Sequence, residues 1–217
     1  MTEVGRSRAE QARTQMYQGL VLASAERVFA RRGYHAAKMQ EVATEAGISL
    51  GTLYSVFPGK GEIFEVLNET RGEAFLARIE PALHEDAGAR EALWHSVRGF
   101  VEFVMEHRDY FHVDLREGRS WAIGDVEGSP TFQKGIAQWS GLIARGIDEG
   151  DFRDEDPGVM ATTVFGLMQV QLAALLALGE DSDPAQIARR IASSVERQVC
   201  CVEVLAQPPP WESEQDR

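Results

Sequence analysis

The chain has 217 residues, of which 44% are hydrophobic and 26% are charged. These values are typical of a soluble globular protein with a substantial core, and they exclude a disordered or collagen-like chain. The formal net charge of -12 argues against a protein that binds nucleic acid over its whole surface.

The charge is distributed unevenly along the chain. Residues 1–60 contain eight Lys and Arg against five acids, a net charge of +3, whereas residues 61–217 have a net charge of -15. A polyanion would therefore approach the N-terminal part and be repelled by the rest. The first residues contain no apolar run of the secretory type, and Cys200 and Cys201 are adjacent rather than spaced as a disulfide framework. We therefore expect a cytoplasmic protein.

The first third of the chain predicts one long helix, two short helices and a second long helix. Apolar residues recur at helical spacing over residues 8–32, and Gly33 ends the pattern. Short helices are predicted over residues 39–46 and 49–56, followed by a long helix over Lys60–Leu83. The order of helix, short helix, tight turn and short helix describes a helix-turn-helix.

The turn between the two short helices has the residues that a helix-turn-helix needs. Gly47 supplies a positive φ angle, and Ala43 is small where the helices cross closely. This unit is assigned to residues 15–60, and residues 1–14 are predicted to be a flexible basic arm that either contacts DNA or is a solvated tail. Small and hydroxyl residues, which can approach base edges and phosphates, are predicted on the outer face of the second short helix. They are Ser49, Gly51, Thr52, Tyr54 and Ser55.

Residues 61–206 are predicted to form a second helical domain. After the helix over Lys60–Leu83, apolar stripes predict helices over about residues 93–105, 110–115, 132–147, 158–178 and 187–202, with a loop over residues 118–130. The helix over residues 158–178 carries no charge, so it is either buried in a core or dimer interface or, as the weaker alternative, crosses a membrane. Residues 207–217 are rich in proline and acids, and we expect them to be disordered. The predicted fold is all-α, with about nine helices.

The residues around the predicted turn match a known pattern at many spaced positions. Residues 46–58 read Ala-Gly-Ile-Ser-Leu-Gly-Thr-Leu-Tyr-Ser-Val-Phe-Pro, and residues 60–64 read Lys-Gly-Glu-Ile-Phe. On these residues the chain resembles the TetR family of transcriptional repressors, over about residues 20–67. The resemblance implies a homodimer that binds a palindromic operator in double-stranded DNA. It also implies a small-molecule effector that binds the C-terminal domain and releases the DNA.

The resemblance implies which residues contact DNA. They are Lys38, Gln40, Ser49, Leu50, Gly51, Thr52, Tyr54, Ser55 and Lys60. Tyr54 and Lys60 are expected to bind phosphates, and Gln40 a phosphate or a base edge. Leu50 stands where the family often has a basic residue or proline, and it can contact a thymine methyl group. A Ser or Thr that caps the first short helix in the family is replaced by Ala37 and Lys38, so the cap is expected to be missing and Lys38 to add a phosphate contact.

Large apolar residues of the C-terminal domain are candidates for a ligand pocket, with ordinary core packing as the alternative for each one. That a pocket exists among them is expected from the family alone. The candidates are Phe100, Phe103, His112, Trp121, Phe132, Trp139, Phe165 and Gln169. Because few of them are charged, the pocket would suit a lipophilic effector.

The uncharged helix and the last apolar stripe are expected to form a four-helix bundle in a two-fold dimer. The residues assigned to this interface are Val164, Gly166, Ile187, Ile191, Val195, Val199 and Val202. Cys200 and Cys201 are expected to be packed or surface thiols rather than redox sensors.

The sequence shows no catalytic constellation. Lys60 follows a glycine, but a phosphate-binding loop of the P-loop type would need Gly at position 54 and Ser or Thr at position 61. His107 and His112 are five residues apart and face differently on a helix, so we do not expect them to bind a metal. We therefore expect no enzymatic activity, no cofactor and no metal. The alternatives are a membrane-associated helical protein and a DNA-binding regulator that responds to no effector.

Overall fold

The computed structural model describes residues 3–83, 87–116, 130–177 and 183–213. Eleven helices lie in these ranges, nine of them with seven residues or more and two with four residues. They are α1 (Glu3–Arg32), α2 (Met39–Glu45), α3 (Leu50–Val56), α4 (Lys60–Leu83), α5 (Ala89–Glu106), α6 (Arg108–Arg116), α7 (Pro130–Asp148), α8 (Pro157–Ala177), α9 (Pro184–Val199), α10 (Val202–Leu205) and α11 (Pro210–Ser213). The all-α prediction is confirmed. The predicted loop over residues 118–130 lies almost wholly outside the described residues.

The chain divides into two compact units, and the boundary lies within α4. The first unit contains the residues up to Arg71 together with α6, and the second contains Gly72–His107 and the helices from α7 onward. The sequence pattern predicts this boundary at residue 60. The boundary lies farther along because the first turns of α4 supply core to the first unit. The ring of Phe64 lies 6.2 Å from that of Phe29 and 4.9 Å from that of Tyr34.

The first unit is built on α1, which packs against α2, α3 and α6. Val28 and Phe29 of α1 are buried. Gly33 ends α1 with φ +80°, and Gly47 makes the turn between α2 and α3 with φ +65°. Both are angles that side chains with a Cβ rarely adopt, so the predicted turn chemistry is confirmed.

The N-terminal residues are helical from Glu3 onward, so the prediction of a flexible arm over residues 1–14 is wrong for the residues that the structure describes. Residues 9–13 read Ala-Glu-Gln-Ala-Arg, all strong helix formers, and no proline interrupts them. A helix that is already packed over its later turns extends through such residues at little cost, because each added residue gains one hydrogen bond.

Aromatic rings form the centre of the second unit. The ring centre of Phe75 on α4 lies 5.6 Å from the ring centre of Phe100 and 5.6 Å from that of Phe103, both on α5. The ring centre of Phe165 on α8 lies 6.0 Å from that of Phe100 and 5.9 Å from that of Phe132 on α7. α8 packs against α7 and α9, and α5 packs against α7 and α9. Rings from α4, α5, α7 and α8 therefore form one aromatic core.

The uncharged helix, α8, is long and apolar enough over Pro157–Leu176 to cross a membrane by length and composition alone. Inside the unit, however, 44% of its most apolar window is buried, and it packs against two neighbouring helices. A core helix of a folded domain has these properties, so we interpret α8 as part of the core rather than as a membrane span.

The C-terminal end differs from the sequence prediction at two points. α9 ends at Val199, and Cys200 is extended and pairs with Phe152 in an isolated antiparallel bridge. Val202 therefore lies outside the apolar stripe of α9 and is 78% exposed. The tail is also ordered up to residue 213 rather than disordered, because Trp211 packs its ring 5.1 Å from that of Trp94 on α5.

Candidate nucleic-acid interface and ligand cavity

α3 is held in place by one buried face and one capping residue. Ser49 caps the helix, because its Oγ accepts a hydrogen bond from the backbone N–H of Thr52 at 3.0 Å. Leu53 is fully buried, and Phe57, which follows the helix, is 1% exposed. Tyr54 lies on the opposite face and is 49% exposed. The structure therefore turns the predicted outer face of α3 toward solvent.

The hydroxyl groups of α3 are not equally free to bind DNA. The Oγ of Ser49 lies 2.8 Å from the Oγ1 of Thr52, and the Oγ of Ser55 donates to the carbonyl of Thr52 at 2.7 Å. Ser49, Gly51 and Ser55 are exposed, while Leu50 and Thr52 are half-buried. The serine hydroxyls thus serve their own helix, and Tyr54 presents the largest exposed side chain of α3.

α2 begins without a side-chain cap from Lys38, as the sequence predicts. The carboxylate of Glu41 instead accepts a hydrogen bond from the backbone N–H of Lys38 at 3.0 Å. The side chains of Lys38 and Gln40 are both exposed. Both are therefore available to a phosphate backbone next to α3.

Three arginines of the first unit are bound to acids of α2. Glu45 accepts hydrogen bonds from Arg27 at 2.8 Å and from Arg31 at 2.6 Å, and Glu41 pairs with Arg32 at 3.1 Å. The hydrogen bonds from Arg27 and Arg31 lower the pKa of Glu45 below its ordinary value. These three arginines are therefore less available to a phosphate backbone than unpaired arginines would be. Sequence reasoning missed these pairs because the partners are between 9 and 18 residues apart.

Lys60 has a different role from the predicted phosphate contact. Its Nζ donates to the backbone carbonyls of Tyr34, His35 and Ala37 at 2.7, 2.8 and 3.1 Å. It also lies 4.8 Å from the centre of the Tyr34 ring. An ammonium group has three N–H donors, and all three are used here. Lys60 therefore ties the start of α4 to the segment between α1 and α2, and we assign it a structural role.

A small cavity lies in the second unit between α4, α7 and α8, with a volume of about 10 Å³. Three of the predicted pocket residues line it, namely Phe132, Trp139 and Phe165. Phe100 and Phe103 are buried in the surrounding aromatic core rather than in the cavity wall.

Gln169 and His112, which the structure describes, do not line the cavity. Gln169 is buried on α8 but does not line the cavity. His112 is on α6 in the first unit, where its Nδ1 lies 3.0 Å from the carbonyl oxygen of Arg108, and it does not line this cavity. Trp121 lies outside the described residues.

Sequence reasoning missed five residues of α4 and α7 in the cavity wall. The missed residues are Phe75, Leu76, Thr131, Gly135 and Ile136. The two helices approach closely through small residues, because a Cβ on Gly72 would lie 2.6 Å from Cγ2 of Thr131. A Cβ on Gly135 would lie 3.3 Å from Cδ2 of Leu76. Such a crossing has no signature in a single sequence.

The cavity is closed in this structure. Pockets that hold drug-sized ligands have volumes of roughly 300–1,000 Å³, and the volume here is about 10 Å³, room for about one water molecule. An effector of ordinary size therefore requires the lining side chains to move.

Five of the seven residues assigned to the dimer interface are buried inside a single chain, so the structure does not place these five at an interface. Val164, Ile191, Val195 and Val199 are 0% exposed and Ile187 is 2% exposed. A side chain with no exposed surface has none left for a partner subunit. The apolar stripe of α9 packs instead against α5 and α8 of its own chain. Gly166 is half-buried, and Val202 is exposed on α10.

Two family models match the chain. The model of bacterial regulatory proteins of the tetR family matches residues 21–67, and the model of the tetracyclin repressor-like C-terminal domain matches residues 86–173. The chain belongs to the TetR family. Residues 21–67 include α2 and α3, so the helix-turn-helix found in the structure is the part that the first model describes.

Relatives and solved structures agree with this family. The chain is 27% identical over 186 residues to the HTH-type transcriptional regulator YuxN of Bacillus subtilis, covering 83% of this chain and 62% of YuxN. It is 35% identical over 89 residues to the HTH-type transcriptional activator FasR of Mycolicibacterium smegmatis, covering 41% of this chain and 40% of FasR. It therefore spans less than two thirds of either relative. The fold is similar to that of FadR from Bacillus subtilis in complex with stearoyl-CoA, with a TM-score of 0.71 and 21% identity, covering 81% of this chain and 96% of FadR.

Proposed function

We propose that this TetR-family chain is a transcriptional repressor that binds a palindromic operator as a homodimer and leaves it when a small-molecule effector binds. The observation that carries the proposal is the outer face of α3, where Tyr54 is 49% exposed while the adjacent Leu53 is fully buried. A short helix anchored by one buried face, with small and hydroxyl residues on the other, fits the major groove of DNA. The repressor would act in the cytoplasm.

The homodimer is proposed to form through an exposed stripe of α8. Val159, Thr163, Gly166 and Val170 recur every three or four residues, which is the spacing of a helix–helix seam. Val159 and Val170 are each 64% exposed, and no charged residue lies in α8. A Cβ added to Gly166 would meet no atom within 4 Å, so the backbone of a partner helix can approach there. An exposed, uncharged stripe of this kind supports a two-fold contact between copies of α8.

The effector is proposed to be lipophilic, because aromatic and aliphatic side chains line the cavity. FadR of Bacillus subtilis was solved with stearoyl-CoA, and a putative regulator of Saccharomonospora viridis with choline, so solved proteins of this fold hold small molecules. α4 contributes Phe75 and Leu76 to the cavity, and its first turns belong to the DNA-binding unit. An effector that binds better to a state with poor DNA affinity shifts the population toward that state.

A regulator that responds to no effector is the second candidate function. The observation that favours it is the closed cavity of about 10 Å³. Binding of small apolar probes to the second unit distinguishes the two candidates, since a regulator without an effector site binds none of them.

The DNA-binding proposal is tested by fluorescence anisotropy with an operator duplex and a random duplex. Tyr54→Phe removes one hydroxyl that we assign to a phosphate, so we expect both affinities to fall by a similar factor of about 2–10. Thr52→Ala is expected to change the preference among operator variants more than the affinity for random DNA. Thr70→Ala is the matched control, because the hydroxyl of Thr70 donates to Val66 of its own helix and lies outside α3. Unchanged binding in both α3 variants would show that α3 does not read DNA.

A further inference from the structure

The indole N–H of Trp139, a residue that lines the cavity, is a buried polar group that the proposed function does not explain. Trp139 lines the cavity and is 1% exposed. Within the part of the chain that the structure describes, its Nε1 has no hydrogen-bond partner. A buried donor without an acceptor is energetically unfavourable, and most buried polar groups in native proteins are paired. An acceptor supplied by a ligand would satisfy this donor.

The rest of the described cavity wall carries no charge. Its lining consists of Phe75, Leu76, Thr131, Phe132, Gly135, Ile136, Trp139 and Phe165. Among these described residues, Thr131 is the only polar side chain besides Trp139. A carboxylate or ammonium group placed in this cavity would lose its hydration without facing an opposite charge, which is costly.

We propose that the cavity selects an uncharged, mainly apolar effector that carries one hydrogen-bond acceptor, and that this acceptor binds the N–H of Trp139. The inference rests on the proposed effector site and names the class of its ligand. A carbonyl or ether oxygen within an otherwise apolar molecule has the required chemistry. Trp139 is then a specificity-determining residue, since it distinguishes such a molecule from a hydrocarbon of the same shape.

Three isosteric probes test this inference on the full chain. Isopropylbenzene has no acceptor, acetophenone has one carbonyl oxygen, and benzoate has a charged carboxylate in the same shape. Binding is measured by isothermal titration calorimetry to the wild type and to Trp139→Phe, which keeps an aromatic ring and removes the N–H. The indole N–H signal of Trp139 is followed by ¹⁵N NMR and is assigned by its absence in Trp139→Phe.

We expect Trp139→Phe to weaken acetophenone binding by about tenfold relative to isopropylbenzene binding, the factor that corresponds to one neutral hydrogen bond. Comparing the two probes in both proteins removes the difference in their hydrophobicity. Acetophenone is expected to move the indole N–H signal of Trp139 farther downfield than isopropylbenzene does, because a hydrogen bond deshields the donor proton. Benzoate is expected to bind most weakly of the three.

The same series in an Ile136→Ala background keeps the test decisive if the closed cavity admits no probe. Ile136 lines the cavity and is only half-buried, so its truncation enlarges the cavity at less cost than the truncation of a buried ring. Equal effects of Trp139→Phe on both neutral probes, or benzoate as the tightest ligand, would overturn the inference while leaving the effector site in place. No binding of either neutral probe to wild type or Ile136→Ala would overturn the effector site as well.

Discussion

Lys60 and Lys38 provide a matched pair of substitutions with opposite expected effects. Lys60→Met keeps most of the apolar stem and removes the ammonium that binds three backbone carbonyls. A hydrogen bond from a charged donor contributes about 1.5–3 kcal/mol when buried, and Lys60 is only half-buried, so water will replace part of this contribution. We therefore expect Lys60→Met to lower the free energy of unfolding by about 2 kcal/mol in total.

Lys38→Met removes the ammonium group of an exposed side chain that does not cap α2. An exposed surface substitution usually changes stability by less than about 0.5 kcal/mol. If Lys38 binds a phosphate, the slope of the logarithm of the DNA-binding constant against the logarithm of the salt concentration becomes less steep. The slope changes by about 0.9 for each phosphate that the variant leaves unneutralised. We expect this change in Lys38→Met, and we expect the salt dependence of folded Lys60→Met to equal that of the wild type.

Stability is measured by urea unfolding of the full chain, with circular dichroism as the signal. DNA binding is measured by fluorescence anisotropy with an operator duplex between about 50 and 200 mM salt, because counterion release strongly affects binding in this range. The structural role of Lys60 would be refuted if Lys60→Met unfolds at the same urea concentration as the wild type and has a shallower salt dependence. That result would return Lys60 to the phosphate-binding surface.

Three further outcomes are expected. A Cβ on Gly146 would lie 2.1 Å from the buried ring of Phe152, so Gly146→Ala should lower the free energy of unfolding by about 1–3 kcal/mol. A Cβ on Gly141 in the same helix would meet no atom within 4 Å, so Gly141→Ala should raise the free energy of unfolding by up to about 1 kcal/mol. Urea unfolding of both variants checks these two expectations. Val170→Glu places a charge in the proposed α8 seam and should convert dimer to monomer in sedimentation velocity, and a dimer that persists would place the interface elsewhere. Burial raises the pKa of the Cys200 thiol to about 12, so at pH 8 it should react with a thiol reagent far more slowly than its half-buried neighbour, and equal rates would contradict this.

Local chemistry made α2 and α3 predictable from the sequence. Gly47 marks the turn by its need for a positive φ angle, Ser49 marks the start of α3 by its capping oxygen, and the buried Leu53 fixes which face points outward. Each of these signals depends on neighbours within a few residues. The length and position of α4 and α8 were predictable for the same reason, since their apolar residues and boundaries are local features.

The features that were mispredicted depend on distant partners. The carbonyls that bind Lys60 are between 23 and 26 residues away in the sequence. The apolar stripe of α9 is covered by α5 of the same chain rather than by a partner subunit. The order of the tail depends on Trp211 meeting Trp94 across 117 residues. Periodicity shows that a face is buried, and it does not show which helix covers it.

The most direct test of the proposed function is the selection of DNA from a random pool by the purified full chain, checked by mass spectrometry to be free of bound small molecules. A homodimer that places one α3 in each of two major grooves should recover a palindrome. The centres of its half-sites should lie about one helical turn of DNA, or a multiple of it, apart. Recovery of unsymmetrical sites, or no enrichment by a folded protein, would contradict the proposal that this chain is a dimeric operator-binding repressor.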